Sequence, residues 1–329
     1  MTAKSGEQVT VAGAGAFGLC IALALARQGL SVVVRDPAPF GDNASGVAAG
    51  MLAPVFETAL DPASADAFDL LMAARDLWPA LSDSVGIDLD RSGAAYWGAH
   101  IGKVAARLRA LGVSSGVYGD RVYTREDWRL SPGAAMAALR AAAGQAGVRF
   151  EATRVASPPA DGLLILATGA DSGDLAPELA LLAPVKGHIL RYQGGPDIGP
   201  VMRGDGVYVC PDPAGAVVGA TMEHGVADRT VDTARVEGLR AAADALLPDL
   251  QGLSATAFTG VRAATPDGLP MVGWSRRPGV MLAVGARRNG WLLAPLVARA
   301  VAAYVAGEDP GPHAARLDPR RFDHKETGA

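Results

Sequence analysis

The chain has 329 residues, half of them apolar and 19% charged, with a formal net charge of −4 and 41 glycines and 22 prolines that follow no repeat period. This balance excludes a disordered, collagen-like or coiled-coil chain and leaves one large or two closely packed globular units. The mild negative charge and the lack of a basic stripe with interleaved aromatics exclude nucleic acid as the expected partner and leave small molecules.

Residues 9–12 read as a buried strand, 15–28 as a helix of leucine, isoleucine and alanine closed by Gly29, and 31–34 as a second strand. Strand, glycine turn, helix and strand in about 30 residues predict a right-handed βαβ crossover with parallel strands, half of a nucleotide-binding fold. Ser131 reads as an N-cap before Pro132, opening an alanine-rich helix that stops at Gly144 or Gly147, ahead of a strand at 148–152. The apolar run 163–167 has the character of a strand buried on both faces. Between these pieces, stretches at 92–98, 118–124, 187–193, 206–210 and 215–222 are β-branched or aromatic and broken by Gly, Pro and Asp, which predicts an antiparallel sheet. Helices near 103–111 and 236–247 punctuate it. After residue 256 the first pattern returns, with a strand at 280–284 and a helix from about 291 to 305. The expected fold class is α/β: a Rossmann-like domain with a parallel sheet, plus an α+β domain with a mostly antiparallel sheet. The first is expected to comprise 1–80, 131–185 and 258–329, and the second 81–130 and 186–257.

Gly13-Ala14-Gly15-Ala16-Phe17-Gly18 falls between the first strand and the first helix, where G-x-G-x-x-G has a mechanical meaning. The first glycine makes the tight turn, the second admits a pyrophosphate to the backbone, and the third lets the helix pack closely. Free N–H groups and the positive end of the helix dipole favour an anion there. Asp36, followed by Pro37, closes the second strand about 20 residues on and suits ribose hydroxyls. The motif leaves FAD and NAD open.

Other features read as bland. Gly112-Val113-Ser114-Ser115-Gly116 spells a nucleophile elbow, but it follows a helix instead of a strand. Cys20 and Cys210 are too few and too far apart for a disulfide framework, and the five histidines show no metal-binding spacing, so no metal is expected. No signal peptide and no membrane span is read, and a cytoplasmic protein is expected.

Further segments complete a set: Ser45-Gly46-Val47-Ala48-Ala49-Gly50-Met51-Leu52, Leu166-Ala167-Thr168-Gly169-Ala170, Pro184-Val185-Lys186-Gly187, Val218-Gly219-Ala220-Thr221-Met222, Thr265-Pro266-Asp267-Gly268-Leu269-Pro270, and Arg288-Asn289-Gly290-Trp291-Leu292-Leu293-Ala294-Pro295. In this order, spread from residue 9 to about 322, they resemble the D-amino-acid oxidase family of FAD-dependent oxidoreductases, nearest the glycine oxidases of thiamine biosynthesis.

The resemblance implies FAD, held without a covalent bond. Its contacts would come from Gly13, Gly15, Ala16, Phe17, Gly18, Asp36 and Pro37, and from the flavin-facing Ala44, Ser45, Ala49, Gly50 and Met51. Val155 would lie by adenine, with Thr168 and Gly169, and the turn Ala286, Arg287, Arg288, Asn289, Gly290, Trp291 and Leu292 would meet the flavin. It implies that Arg262 and Arg288 bind a substrate carboxylate, and that Tyr208 and Met222 line the pocket. Without it, Arg262 is as readily a structural arginine tied to Asp267, and Tyr208 a core residue.

The implied reaction is oxidative deamination of glycine or a D-amino acid. A hydride passes from Cα to flavin N5, and dioxygen or another acceptor takes the electrons, giving an imino acid and hydrogen peroxide. Two alternatives stand beside it: an FAD enzyme of 2-hydroxy acids or N-methyl amino acids, and a flavoprotein subunit with structural FAD. A homo-oligomer is left open. Where relatives carry Gly-His, this chain has Gly285-Ala286-Arg287, and Arg287 beside Arg288 raises the expectation that the substrate bears a second anionic group.

Overall fold

The computed structural model describes residues 8–171 and 173–325. Its first layer is a six-stranded sheet in the order Met271–Trp274, Val280–Val284, Leu163–Leu166, Gln8–Ala12, Ser31–Arg35, Arg149–Glu151. All neighbours are parallel except the edge strand Met271–Trp274, which returns antiparallel from a tight connection. The sheet therefore draws on early, middle and late parts of the chain. Gln8–Ala12 and Leu163–Leu166 are central, and Leu163–Leu166 is buried along its whole length, as an uninterrupted apolar run requires.

The first helix, Ala16–Arg27, starts at the glycine turn and ends before Gly29, whose φ of +84° supplies the left-handed residue that stops it. It packs against the helix Gly290–Ala306, which is apolar nearly all round and buried along most of its length, and against Pro132–Gln145. Pro132 opens that last helix as expected, but the Ser131 hydroxyl makes no capping hydrogen bond. The largest apolar cluster lies between these helices and the parallel sheet.

The second layer is a nine-stranded sheet. Ala183–Gln193 is its longest strand and pairs antiparallel with Ala255–Ala264 over ten residues, Val185 opposite Arg262. Tyr208–Asp212 and Gly215–Gly219 form a hairpin beside it, and the hairpin Ser115–Tyr118/Arg121–Thr124 closes the far edge. One contact is parallel, Val201–Arg203 with Ala94–Tyr96, so the sheet is mostly antiparallel. The period of two is visible in the packing. Tyr208 and Cys210 face one cluster with Phe56 and Ile189, whereas Val207 and Val209 face another under the helix Thr233–Leu246. A small three-stranded sheet, Met51–Leu52, Trp128–Leu130 and Leu89–Asp90, was not legible in the sequence and fixes the register of Met51 against Arg129.

Candidate active site

The glycine loop is built by close approach. Gly13 takes φ +109°, and a Cβ there would come within 2.3 Å of the Ala167 carbonyl oxygen; a Cβ on Gly18 would come within 1.9 Å of the Gly13 carbonyl oxygen. Gly15 is the N-cap, without a side-chain cap, and Ala16 and Phe17 follow it buried in the first turn. The Ala16 N–H donates to Ser45 Oγ at 3.0 Å. Asp36, at the end of its strand, accepts from the N–H of Ala14 at 2.8 Å and of Ala38 at 2.9 Å, and Pro37 between them is exposed. Past the end of Leu163–Leu166, the Thr168 hydroxyl is buried with no hydrogen-bond partner among the described residues, and Gly169 takes φ +63°. Val155 packs with Ala12 and Leu164 beside the same strands. A backbone cradle that no Cβ can enter, a helix N-terminus, a carboxylate at a strand end and an orphaned hydroxyl fit the pyrophosphate and ribose of a dinucleotide.

A cavity of about 220 Å³ opens between the two layers. Ala44, Ala49, Gly50 and Met51 contribute one wall and Arg288, Asn289 and Trp291 another, while Tyr208 and Arg262 come from strands of the large sheet and Met222 from the link between two of its strands. The Asn43 carboxamide caps the short helix Ala44–Val47 through the N–H groups of Ser45 and Gly46, which sets the first wall. Gly50 takes φ +78°, and a Cβ there would lie 2.1 Å from the Leu130 carbonyl oxygen. In the second wall, Trp291 Nε1 donates to the Ser45 carbonyl at 3.0 Å, and its ring meets Trp78 at 6.1 Å between centroids. The turn before it runs through Ala286 and then Arg287, the only non-glycine among the described residues with positive φ, at 50°. Gly290 and Leu292 belong to the helix behind the wall.

The charges of the cavity sort unevenly. Arg288 Nη2 donates to Glu57 Oε1 at 3.1 Å, and its Nη1 lies 3.7 Å from Asp61 Oδ2. Arg287, beside which a second substrate anion was expected, pairs with Asp61 and is not among the residues that line the cavity. Arg262 Nη1 meets only the Thr221 carbonyl and Met222 Sδ, each at 3.5 Å, and makes no ion pair among the described residues. Burial, and then the Arg288 and Arg287 charges, push its guanidinium below its ordinary value. Asp267, the alternative partner considered for Arg262, is held by Arg321. Burial pushes the Tyr208 phenol up to about 12, so its hydroxyl stays protonated.

Glu57 and Arg203 were missed in the sequence. Both line the cavity, and Arg203 Nη2 donates to Glu57 Oε1 at 2.9 Å. Burial opposes the charge on Glu57, but Arg288 and Arg203 outweigh it and hold the carboxyl below the usual range. The signal was a lone acid inside the apolar helix Pro54–Leu60. The N-terminus of that helix is fixed by Asp127, whose carboxylate accepts from the N–H groups of Val55 and Phe56 at 2.8 and 3.0 Å.

Among the described residues no helix is long and apolar enough to cross a membrane. Residues 8–304 match the family described as DAO: FAD dependent oxidoreductase. The chain is 30% identical over 357 residues to the glycine oxidase of Pseudomonas aeruginosa, with 92% of this chain and 96% of that one covered. It is 26% identical over 367 residues to the glycine oxidase of Bacillus subtilis, covering 96% and 98%. Among solved structures, glycine oxidase from Geobacillus kaustophilus aligns with a TM-score of 0.85 and 26% identity over 96% of this chain and 99% of that one.

Proposed function

Because the chain belongs to the DAO family of FAD dependent oxidoreductases, we propose that it oxidises the Cα–N bond of a small amino acid, glycine or a D-amino acid. The product is an imino acid that water hydrolyses, and dioxygen is the final acceptor, giving hydrogen peroxide. Full-length similarity to glycine oxidases supports the substrate class. The observation that carries the reading is Arg262: a partly buried guanidinium, facing the cavity, without an anionic partner. A substrate carboxylate supplies the missing charge, and the planar fork of arginine suits it.

In this reading FAD is held by the loop from Gly13 to Gly18, by Asp36, and by Thr168 and Gly169, with its ring system against the wall formed by Ala49, Gly50 and Met51. Bound there, it supplies the two-electron acceptor. The segments 1–80, 131–185 and 258–329 then form the cofactor unit, and 81–130 with 186–257 the substrate unit. Tyr208 donates its hydroxyl to the substrate carboxylate beside Arg262, and Met222, Ile189 and Ala220 give the pocket an apolar side that keeps water from the reacting carbon. The chain's own contribution is orientation, which needs no acid or base of unusual strength.

The test is anaerobic mixing of the yellow holoenzyme with glycine, sarcosine, D-alanine and 2-hydroxy acids. Loss of the visible flavin band with the amino acids, followed by peroxide on admitting air, is expected. Bleaching by hydroxy acids alone would overturn the substrate assignment, and bleaching by none would point to a structural flavin.

A further inference from the structure

We propose that Glu57 determines substrate specificity by masking two of the three guanidinium groups that line the cavity, so that the pocket accepts one carboxylate and rejects a second. This rests on the reading of Arg262 as the carboxylate receptor.

Three arginines, Arg203, Arg262 and Arg288, reach the cavity. Left uncompensated, such a cluster would favour a dicarboxylate, since each guanidinium is a ready anion site. Glu57 prevents this with a single oxygen. Its Oε1 accepts from Arg203 at 2.9 Å and from Arg288 at 3.1 Å, while Oε2 is buried with no partner. Asp61 adds a weaker contact to Arg288 at 3.7 Å and is already shared with Arg287. Glu57 thus cancels charge at Arg203 and Arg288, the two lining arginines that do not receive the substrate carboxylate in this reading, and places a carboxylate where a second substrate carboxylate would otherwise dock. Specificity arises as much from that repulsion as from the attraction at Arg262.

Glu57→Gln keeps the shape and removes the charge. The amide oxygen can still accept from both guanidinium groups, but Arg203 loses the ion pair it makes with Glu57, and Arg288 keeps only the shared Asp61 as an anion. The experiment titrates holoenzyme with unreactive acids, acetate and methoxyacetate against malonate and succinate, and reads dissociation constants from the perturbed flavin spectrum. Wild-type protein is expected to prefer the monocarboxylates. In E57Q the ratio is expected to move toward the dicarboxylates by about tenfold or more, the scale on which unpairing a charged group at an interface acts. Asp61→Asn, which reaches only Arg288 of the two and from farther off, is expected to shift it in the same direction by less. FAD content and thermal melting establish that each variant is folded. A wild-type preference for dicarboxylates overturns the proposal without any variant, and an unchanged ratio in either folded variant also overturns it. If monocarboxylates bind and R262A loses them while the E57Q ratio stays fixed, only the role of Glu57 fails. If no acid perturbs the flavin, the assignment of Arg262 itself fails.

Discussion

Gly187 and Arg262 lie so close on adjacent strands that the guanidinium fills the place of a side chain: a Cβ on residue 187 would sit 2.4 Å from Arg262 Nη1. The strand pairing that sets Gly187 opposite Gly260 leaves the room in which Arg262 lies. Gly187→Ala is therefore expected to displace the guanidinium while leaving the cofactor region intact. Steady-state kinetics should show KM raised by about tenfold, because charge-assisted hydrogen bonds lose strength quickly with misalignment. The FAD-to-protein ratio should be unchanged; a normal KM would show that the arginine does not hold the substrate.

Arg262 and Arg288 should behave differently when removed. Arg262→Ala deletes a cation with no protein anion to leave behind, and should cost about 2 kcal/mol or more in kcat/KM at little cost in stability. Arg288→Ala strips one of two cations from the buried Glu57 and should lower the melting temperature, since an under-compensated buried charge is expensive. Equal melting temperatures for the two variants would contradict the charge assignment.

At the glycine loop, Gly18→Ala places a methyl 1.9 Å from the Gly13 carbonyl oxygen, a rigid backbone contact that cannot yield. The expected result is colourless protein or none, measured as bound FAD after purification. Asp36→Ala is milder: it frees the Ala14 and Ala38 N–H groups and removes the carboxylate proposed to accept from the ribose hydroxyls. FAD affinity should fall by about tenfold to a hundredfold, the range for hydrogen bonds to a charged group.

Asp127 predicts a pH effect. Burial pushes its carboxyl from 3.8 up to about 7, against the pull of the Phe56 and Val55 N–H groups. The folded protein then binds a proton that the unfolded chain has released, so the contribution of Asp127 to stability is complete below pH 3.8 and is lost as pH rises toward about 7. The stability of wild type relative to Asp127→Asn should accordingly decline across that window and level off above it, as measured by denaturant unfolding at a series of pH values. A difference that does not vary with pH would mean that Asp127 is ionised throughout.

The nucleotide-binding half of the fold was legible because local rules act there within a short span: Gly13 and Gly18 must be glycines, Asp36 must follow its strand, and 163–166 must be buried on both faces. Tyr208 was read as a pocket residue from the resemblance, on a strand whose alternation separates it from Val207 and Val209, and it packs with Phe56 and Ile189 and lines the cavity. The charge pattern was not legible. Glu57 lies 146 residues from Arg203 and 231 from Arg288 in sequence, and the three meet only where the helix Pro54–Leu60, the strand Val201–Arg203 and the turn before Gly290–Ala306 converge. Arg287 looked like a pocket residue because it adjoins Arg288, yet its left-handed backbone turns its side chain to Asp61. The pairing of Met51 with Arg129 was hidden for the same reason: a two-residue strand has no periodicity to read.

The strand order has a consequence for synthesis of the chain. Gln8–Ala12, which leads into the glycine loop, is flanked on one side by Leu163–Leu166, and that strand in turn by Val280–Val284. The first helix finds its main apolar cover in Gly290–Ala306. A chain made in N-to-C order therefore presents its glycine loop long before Val280–Val284 and Gly290–Ala306 exist to complete the surroundings of the first strand and helix. Such long-range closure is slow compared with local pairing. It makes cofactor capture a late event, and makes the last long helix a part that the first thirty residues must wait for.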